Sequence, residues 1–350
     1  MKLLVLTQKV DRNDPVLGFF HDWLVEFAKR VEGVVIICLA KGKYELPSNC
    51  RVLSLGKEEG VSKIRYIYRF FKYIIQERKN YDAVFVHMNP EYVVLAGWFW
   101  KLLGKKVILW YTHKSVTWKL KAANFFVDKI FTASREGLQI SSSKVEVVGH
   151  GINTERFAVK EESGGESRQI IYVGRISHIK NQELLIRAAD ILINQKKQAG
   201  WRINFVGAPQ YLKDVDYLRN LERIVKDCRL ENYVKFIGAV SYQKIAGYYR
   251  GTDLSINLCP TGGMDKAVLE SVACGIPTLV YNKAFLQLFG GLSKFFILDS
   301  LSAVGLADKI VAVSNWLPVE RGKALKELRE RIIKFHDLKK LVSRIIASAV

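Results

Sequence analysis

The sequence predicts an α/β protein made of two Rossmann-like, doubly wound parallel-sheet domains. Short β-branched apolar runs alternate with longer segments of helical periodicity, which is the pattern of βαβ units. The alternation stops at a charged Gly-Gly segment near the middle of the chain and then restarts. The chain has 350 residues, which is enough for two domains that each bury a core.

The first half of the chain holds the elements of one doubly wound domain. Its predicted strands are Leu3–Leu6, Val34–Leu39, Ala83–His87, Val107–Tyr111, Lys129–Thr132 and Val145–Val148. Its predicted helices are Phe19–Val31, Lys63–Arg78, Glu91–Leu103 and Ser115–Phe126. Parallel strands need crossover connections, and these helical segments are long enough to supply them.

A linker is predicted at Val159–Arg168, which is charged and contains Gly164-Gly165. It separates a first domain at residues 1–158 from a second domain at residues 169–330. The predicted strands of the second domain are Gln169–Val173, Arg202–Val206, Val234–Ile237, Leu254–Leu258 and Thr278–Tyr281. Its predicted helices are Asn181–Lys196, Leu212–Cys228, Ser241–Arg250 and Lys266–Cys274.

The composition narrows the class of partner. A hydrophobic content of 49% with 25% charged residues indicates a globular protein and excludes disorder. The formal net charge of +20 favours anionic partners such as phosphates, anionic lipid or nucleic acid. Because the charge is dispersed and no nucleic-acid-binding module is recognisable, we expect no nucleic-acid partner.

Cysteine usage and apolar runs indicate the compartment. The five cysteines are widely spaced, odd in number and include no Cys-x-x-Cys pair, so neither a disulfide framework nor a zinc site is predicted. The apolar run at the N-terminus is too short for a signal peptide. Val93–Trp100 is far below the roughly twenty residues of a membrane-spanning helix. We expect a cytoplasmic protein whose membrane contact, at the inner face of the plasma membrane, is peripheral.

A phosphate-binding loop is predicted after the first strand of the second domain. The segment Val173–Asn181 places a glycine, Gly174, at the end of a strand and two cations, Arg175 and Lys180, on the loop that leads into a helix. The planar fork of Arg175 suits two phosphate oxygens, Lys180 adds a point charge, and helix N–H groups add a positive dipole. Solvated loop charges are the alternative reading of this motif taken alone.

A second motif follows at residues 257–277, where a strand leads through Gly262-Gly263 into a short helix. Glycines let backbone N–H groups approach an anion closely. Glu270, one turn into the helix, would present a carboxylate to two ribose hydroxyls. The alternative is a plain helix start with one exposed glutamate.

Together these motifs resemble glycosyltransferase family 4, whose members are retaining enzymes of the GT-B fold. Gly174-Arg175 with Lys180 resembles the family's diphosphate pair, Val147–Asn153 resembles the end of its first domain, and Leu269–Pro277 resembles its signature helix. The resemblance implies two domains facing a central cleft, with a C-terminal helix at about residues 331–350 packing back on the first. The implied donor-binding residues are Gly174, Arg175, Lys180, Gly262, Gly263, Met264, Asp265, Lys266 and Glu270.

The resemblance implies transfer of a hexose from a nucleotide-diphosphate sugar to a glycan or lipid-linked acceptor. Arg175, Lys180 and helix amides would stabilise the charge on the leaving phosphate, so no metal and no further cofactor is expected. One position departs from the family, which usually has two glutamates separated by seven residues. The first position is Gly262 here, and Asp265, Lys266 and the amides of Gly263 and Met264 are the candidate replacements.

The acceptor side is predicted in the first domain. His113 follows a strand, resembles the family's cleft histidine, and is expected to donate to a phosphate or an acceptor hydroxyl. The loop Thr7–Gly18 resembles the acceptor loop, with Gly18 alone where a glycine pair is common. Asp11, Arg12 and Asp14 are candidate acceptor contacts, and solvated loop charges are the equal alternative.

Residues 61–79 form a basic segment that interleaves six cations with large apolar residues. It is either a core-packed crossover helix or a surface for anionic membrane.

Two other functions stay open: a catalytically silent relative that binds sugar nucleotides, and a non-hydrolysing nucleotide-sugar epimerase on the same fold. A dehydrogenase is disfavoured, because no Gly-x-Gly-x-x-Gly follows the first strand.

Overall fold

The computed structural model describes residues 1–159, 168–260 and 262–350. By contacts the chain divides into two compact units. Unit 1 comprises Met1–Asn153, Ser241–Gln243 and His336–Val350, and unit 2 comprises Thr154–Val240 and Lys244–Phe335. Most of the predicted linker, residues 160–167, lies outside the described residues.

Unit 1 is built on a parallel sheet of seven strands in the order β3-β2-β1-β4-β5-β6-β7. The strands are β1 Lys2–Val10, β2 Gly33–Lys41, β3 Cys50–Ser54, β4 Ala83–His87, β5 Lys106–Trp110, β6 Lys129–Thr132 and β7 Val145–Val147. The strand order reverses between β1 and β4, which is where an open α/β sheet binds its ligands. Strand β3 is an addition to the predicted set.

Two helical layers cover this sheet. One face packs against α1 Phe19–Ala28 and α13 Leu338–Ala349, and the other packs against α2 Lys63–Gln76, α3 Pro90–Leu102 and α4 Trp118–Phe126. Side chains alternate along each strand, so Leu3 and Val5 enter the first core while Leu4 and Leu6 enter the second. Every central strand is therefore apolar on both faces, as the continuous apolar runs predict.

Unit 2 is built on a parallel sheet of five strands in the order β10-β9-β8-β11-β12. The strands are β8 Arg168–Val173, β9 Trp201–Val206, β10 Val234–Gly238, β11 Leu254–Asn257 and β12 Thr278–Val280. The helices are α5 Gln182–Asp190, α6 Leu212–Asp227, α7 Tyr242–Arg250, α8 Lys266–Ala273, α9 Leu286–Phe289, α10 Ser293–Phe296, α11 Ala303–Ser314 and α12 Pro318–Phe335, with α7 beginning in unit 1. The order reverses between β8 and β11, the strands that precede both predicted motifs.

The predicted helix Asn181–Lys196 is wrong in detail. A 3-10 turn occupies His178–Lys180, Asn181 adopts a left-handed φ of +52°, the α-helix runs over Gln182–Asp190, and a π-helical turn covers Ile191–Gln195. The loop that carries Lys180 is therefore held in its own turn before the helix begins. No helix among the described residues is long and apolar enough to cross a membrane.

Candidate functional site

Three glycines end neighbouring strands of unit 2 and hold the Gly174-Arg175 loop. The Gly174 amide donates to the Val206 carbonyl at 3.0 Å, and the Gly207 amide donates to the Gly238 carbonyl at 2.9 Å. Gly207 has a φ of +148°, and a Cβ built there would overlap the carbonyl oxygen of Gly174. Only glycine fits this contact. Sequence reasoning found Gly174 and missed Gly207, whose signal is its place just after an apolar strand.

Replacing Gly207 by alanine is expected to lower the free energy of unfolding by about 2 kcal/mol, because the φ is strained and the methyl group meets backbone. Urea unfolding measures this. Gly200→Ala is the matched control, since a Cβ there meets nothing within 4 Å. Equal midpoints for the two variants would contradict the close-packing argument.

Lys180 pairs with the residue that precedes α8. Its Nζ forms an ion pair with Oδ2 of Asp265, which also accepts from Asn257 Nδ2 at 3.0 Å. Burial lowers the pKa of Lys180, but the charge of Asp265 outweighs this and holds the pKa above its ordinary value. The buried ammonium is therefore a permanent cation, which ties the loop after β8 to the loop after β11.

Tyr172 and Asn181 also connect the loop after β8 to the loop after β11. The hydroxyl of Tyr172 donates to the Lys180 carbonyl and accepts from the Leu258 amide at 3.1 Å. The side chain of Asn181 donates to the Leu258 carbonyl at 3.1 Å. Burial raises the pKa of Tyr172 well above its usual range, so its hydroxyl stays a donor. Neither residue was predicted, because each acts through a strand that lies far away in sequence.

Arg175 lies half-buried at the start of the loop. Its Nη1 donates to Gln210 Oε1 at 2.6 Å, and its carbonyl accepts from Gln182 Nε2 at 2.7 Å. Its positive charge lowers the pKa of Lys180, but by less than the charge of Asp265 raises it. The Glu183 amide, in the first turn of α5, donates to the Tyr217 hydroxyl at 3.3 Å.

The glycine loop before α8 is held by Asn282. Its Nδ2 contacts the carbonyls of Gly262 at 3.3 Å and Gly263 at 3.4 Å, while its Oδ1 accepts from the Ala284 amide at 2.9 Å. Gly262 has a φ of +101°, and a Cβ there would meet nothing within 4 Å. A glutamate at this position would have room but a strained backbone. Thr261 lies outside the described residues.

The other predicted donor residues lie at the start of α8. Met264 is buried and Lys266 is half-buried, while Asp265 occupies the N-cap but directs its carboxylate to Lys180 and Asn257. Glu270 is 6% exposed. A carboxylate is seldom buried this deeply unless it has polar partners, so the exposed glutamate of the alternative reading is wrong.

The predicted acceptor loop of unit 1 is organised by its own charges. Asp14 accepts from Lys9 Nζ at 2.7 Å and from the Val16 and Leu17 amides at 2.8 and 2.7 Å. Asp11 lies 3.3 Å from Lys9, and Arg12 pairs with Glu45. A Cβ on Gly18 would overlap the Asp14 carbonyl oxygen, so this glycine is required by space. The carboxylates are thus fixed in position rather than mobile in solvent.

The two histidines at the carboxyl ends of β4 and β5 differ in environment. His113 is exposed three residues after β5, and its Nδ1 accepts from the Ser115 amide at 3.1 Å. His87 ends β4, stacks on Phe20 at 4.1 Å, and places Nδ1 at 3.4 Å from Thr7 Oγ1 of β1. His87 therefore marks the point where the strand order reverses. Sequence reasoning placed it in a strand and assigned it no role.

No cluster of three His, Cys, Asp or Glu side chains that could hold a metal ion occurs in the described part of the chain. None of the five cysteines, all of which lie in the described ranges, forms a disulfide.

Part of the chain matches the model of a known family. The model of the family "Glycosyl transferases group 1" matches residues 153–288. These residues include both the Gly174–Lys180 loop and the Gly262–Glu270 segment. Residues 153–288, about two fifths of the chain, are therefore similar to the glycosyl transferases group 1 family. The resemblance stated from these two segments is confirmed.

The curated relatives of this chain are distant and longer. The D-inositol 3-phosphate glycosyltransferase of Paenarthrobacter aurescens is 23% identical over 51% of this chain and 39% of its own length. The alpha-monoglucosyldiacylglycerol synthase of Streptococcus pneumoniae is 23% identical over 64% of this chain and 57% of its own length. The matched region thus covers less than two thirds of either relative.

Solved structures match the fold over almost the whole chain. Anabaena HepE, solved in complex with UDP and glucose, has a TM-score of 0.72 at 16% identity, with 99% of both chains covered. The sucrose-phosphate synthase of Thermosynechococcus elongatus has a TM-score of 0.71 at 15% identity, covering 99% of this chain and 98% of its own. With the two parallel sheets, this confirms the GT-B fold class.

Proposed function

We propose that this chain transfers a sugar from a nucleoside diphosphate donor to an acceptor, with retention of the anomeric configuration. The main support is structural: Arg175, Lys180 and the start of α8 lie together at the carboxyl ends of β8 and β11. This is the switch point of the sheet, where α/β proteins of this type bind nucleotides. The HepE structures with UDP and with UDP-glucose support a nucleotide-sugar donor.

In the proposed reaction the bond between the anomeric carbon and the diphosphate oxygen breaks, and the acceptor hydroxyl oxygen bonds to the anomeric carbon. The proton of that hydroxyl passes to the leaving diphosphate oxygen. Arg175 binds two phosphate oxygens through its fork, and Lys180 places its charge on the leaving oxygen. The cationic state that Asp265 maintains in Lys180 suits this task at any pH near neutrality. These two cations and the α8 amides supply the charge stabilisation, so the proposal needs no metal.

Glu270 is proposed to bind the ribose hydroxyls, and Asp265 with the Gly263 and Met264 amides to contact the sugar in place of the glutamate absent at Gly262. Lys266 and Gly262 complete the donor loop. On the acceptor side we propose His113 with Asp11, Asp14 and Gly18. The acceptor is proposed to be a glycan or a lipid-linked sugar, presented to an enzyme that docks on anionic membrane through the 61–79 segment.

A thermal-shift screen against UDP, GDP, ADP and their sugar conjugates tests the donor site. A ligand that binds only the folded protein raises its melting temperature by mass action. We expect a shift with one nucleotide series that disappears in Arg175→Ala and in Glu270→Ala. Arg187→Ala is the control, because it removes a cation of the same unit that pairs with Glu183 on the surface of α5. No shift with any nucleotide would overturn the proposed site.

One observation favours a second candidate, a silent relative that binds sugar nucleotides without turnover. The family's first glutamate is Gly262 here, and its φ of +101° disfavours any side chain. Asp265, the nearest carboxylate in the loop, is engaged by Lys180 and Asn257. This candidate shares the donor site and differs only in product formation.

A further inference from the structure

The two helical layers of unit 1 differ in the chemistry of their outer faces. On α13 the exposed positions carry Lys339, Lys340, Ser343, Arg344 and Ala347, which is an ordinary polar face. The layer formed by α2, α3 and α4 instead exposes large apolar side chains. They are Ile64, Ile67, Tyr68 and Ile75 on α2, Trp98 and Leu102 on α3, and Trp118 and Phe125 on α4.

The exposed apolar residues of α3 and α4 form two stripes. Trp98 and Leu102 are one turn apart, with Lys101 between them, while Trp118 and Phe125 are two turns apart, with Lys121 between them. Phe125 is 73% exposed, Leu102 79% and Trp118 68%, and apolar side chains exposed in one contiguous patch mark an interaction surface.

Contacts between α3 and α4 join the stripes into one surface. Lys101 Nζ donates to the Phe125 carbonyl at 3.0 Å, and Lys119 pairs with Glu91 at 2.8 Å. Packing also connects α2 to this layer, because Phe70 of α2 contacts Tyr92 of α3 at 5.4 Å between ring centroids. The exposed faces of the three helices therefore belong to one side of the sheet.

The helices of this layer carry a strong excess of positive charge. Helix α2 carries Lys63, Arg65, Arg69 and Lys72 and no acidic residue. Helix α4 carries two lysines and no acidic residue, and the single acid of α3, Glu91, is paired with Lys119. Apolar side chains among cations that outnumber the acidic residues complement a bilayer whose surface carries negative headgroups.

A basic groove of about 420 Å³ lies beside α2, at the edge strand β3. Its lining includes Lys41, Arg65, Tyr68, Arg69 and Lys72. Arg69 pairs with Glu59 at 2.9 Å, whereas Lys41, Arg65 and Lys72 form no ion pair with a described carboxylate. Three cations and a tyrosine hydroxyl at one groove suit a phosphate group.

We propose that the outer face of α2, α3 and α4 binds an anionic lipid bilayer as one surface. Trp98, Leu102, Trp118 and Phe125 enter the headgroup region, and the groove at Lys41, Arg65 and Lys72 receives a lipid phosphate. This deepens the docking proposed above for residues 61–79, and it rests on that proposal for its use in catalysis. Its test measures lipid binding without turnover, so its failure is distinct from a failure of sugar transfer.

Flotation with phosphatidylglycerol–phosphatidylcholine vesicles tests the surface. At low salt we expect binding of the full chain to the anionic vesicles and none to pure phosphatidylcholine. Lys72→Gln with Lys121→Gln should weaken binding by about 30-fold, at about 1 kcal/mol for each cation. Lys340→Gln with Arg344→Gln removes the same charge from the opposite layer and should change binding little. An equal loss of vesicle binding in both double variants would show that binding depends only on net charge, and it would overturn the proposed surface.

Two further measurements test insertion and the competing occupant. Lipids brominated in the acyl chain should quench the tryptophan fluorescence of the bound protein, and Trp98→Phe with Trp118→Phe should abolish that quenching, because the other five tryptophans are not exposed. Unchanged quenching in this variant would contradict insertion.

The competing occupant of this surface is a second copy of the chain. If the parent chain forms dimers and does not bind vesicles, and if Trp118→Ser with Phe125→Ser dissociates those dimers, the surface belongs to a second copy and the proposal is overturned.

Discussion

Replacing Lys180 by alanine is expected to lower the turnover number by about 10²- to 10³-fold, the effect of removing one preorganised group that stabilises a developing negative charge. The variant also removes the cation that pairs with the Asp265 carboxylate, next to the proposed diphosphate site. Arg175→Ala should lower turnover to a similar extent, because it removes the fork that we propose binds two phosphate oxygens.

The measurement is the initial rate of nucleoside diphosphate release with saturating donor and acceptor. Arg187→Ala should keep the parent rate. The double variant Lys180→Ala with Asp265→Asn should recover nucleotide affinity relative to Lys180→Ala, because a neutral amide replaces the negative charge that repels the diphosphate. Unchanged turnover in both Arg175→Ala and Lys180→Ala would remove these residues from the reaction.

Acidification is expected to destabilise unit 1 through His336. Burial lowers the pKa of this histidine from 6.5 to about 4. Its Nδ1 accepts from the His150 amide at 3.3 Å, and its carbonyl accepts from the Ile152 amide at 2.6 Å. The neutral ring therefore helps to hold the C-terminal segment against residues 150–152. The protonated ring could not accept that bond.

The sign follows from proton binding. Below pH 6.5 the unfolded chain takes up a proton at this histidine, whereas the folded chain does so only near pH 4. The contribution is fully present above pH 6.5, and the free energy of unfolding falls by about 3 kcal/mol as the pH drops from 6.5 to 4.

Urea unfolding at a series of pH values measures this loss. Tryptophan fluorescence reports mainly on unit 1, which holds five of the seven tryptophans. In His336→Asn, whose amide oxygen can still accept, the part of the pH dependence that belongs to this residue should disappear. An unchanged slope between pH 6.5 and 4 would contradict the assignment.

Much of the fold can be predicted from the sequence because its strands are buried on both faces. Runs such as Leu3–Leu6 and Ala83–His87 are apolar throughout, which distinguishes a central parallel strand. Strand β3 is missed because Cys50–Ser54 lies at the sheet edge and includes the charged Arg51, so it lacks the continuous apolar run of a central strand. The end of α5 is missed because the apolar residues Leu192 and Ile193 stay buried through the π-helical turn.

The candidate site is predicted only where its residues are adjacent in sequence. Gly174, Arg175 and Lys180 share one loop and are recognised together. The pairing of Lys180 with Asp265 spans 85 residues, and the support of Gly262 by Asn282 spans 20. Such contacts depend on which strands become neighbours, and the strand order 10-9-8-11-12 is not encoded in any local pattern.

The central claim, sugar transfer, is tested most directly by following nucleoside diphosphate release. The donor is the sugar nucleotide that stabilises the protein, and a panel of glycan and lipid-linked acceptors is compared with a sample that lacks acceptor. We predict release that requires one acceptor class, yields a glycosylated product and is lost in Lys180→Ala. Donor binding without release across the panel, or a donor epimerised in the absence of acceptor, would contradict sugar transfer and favour the silent relative or the epimerase.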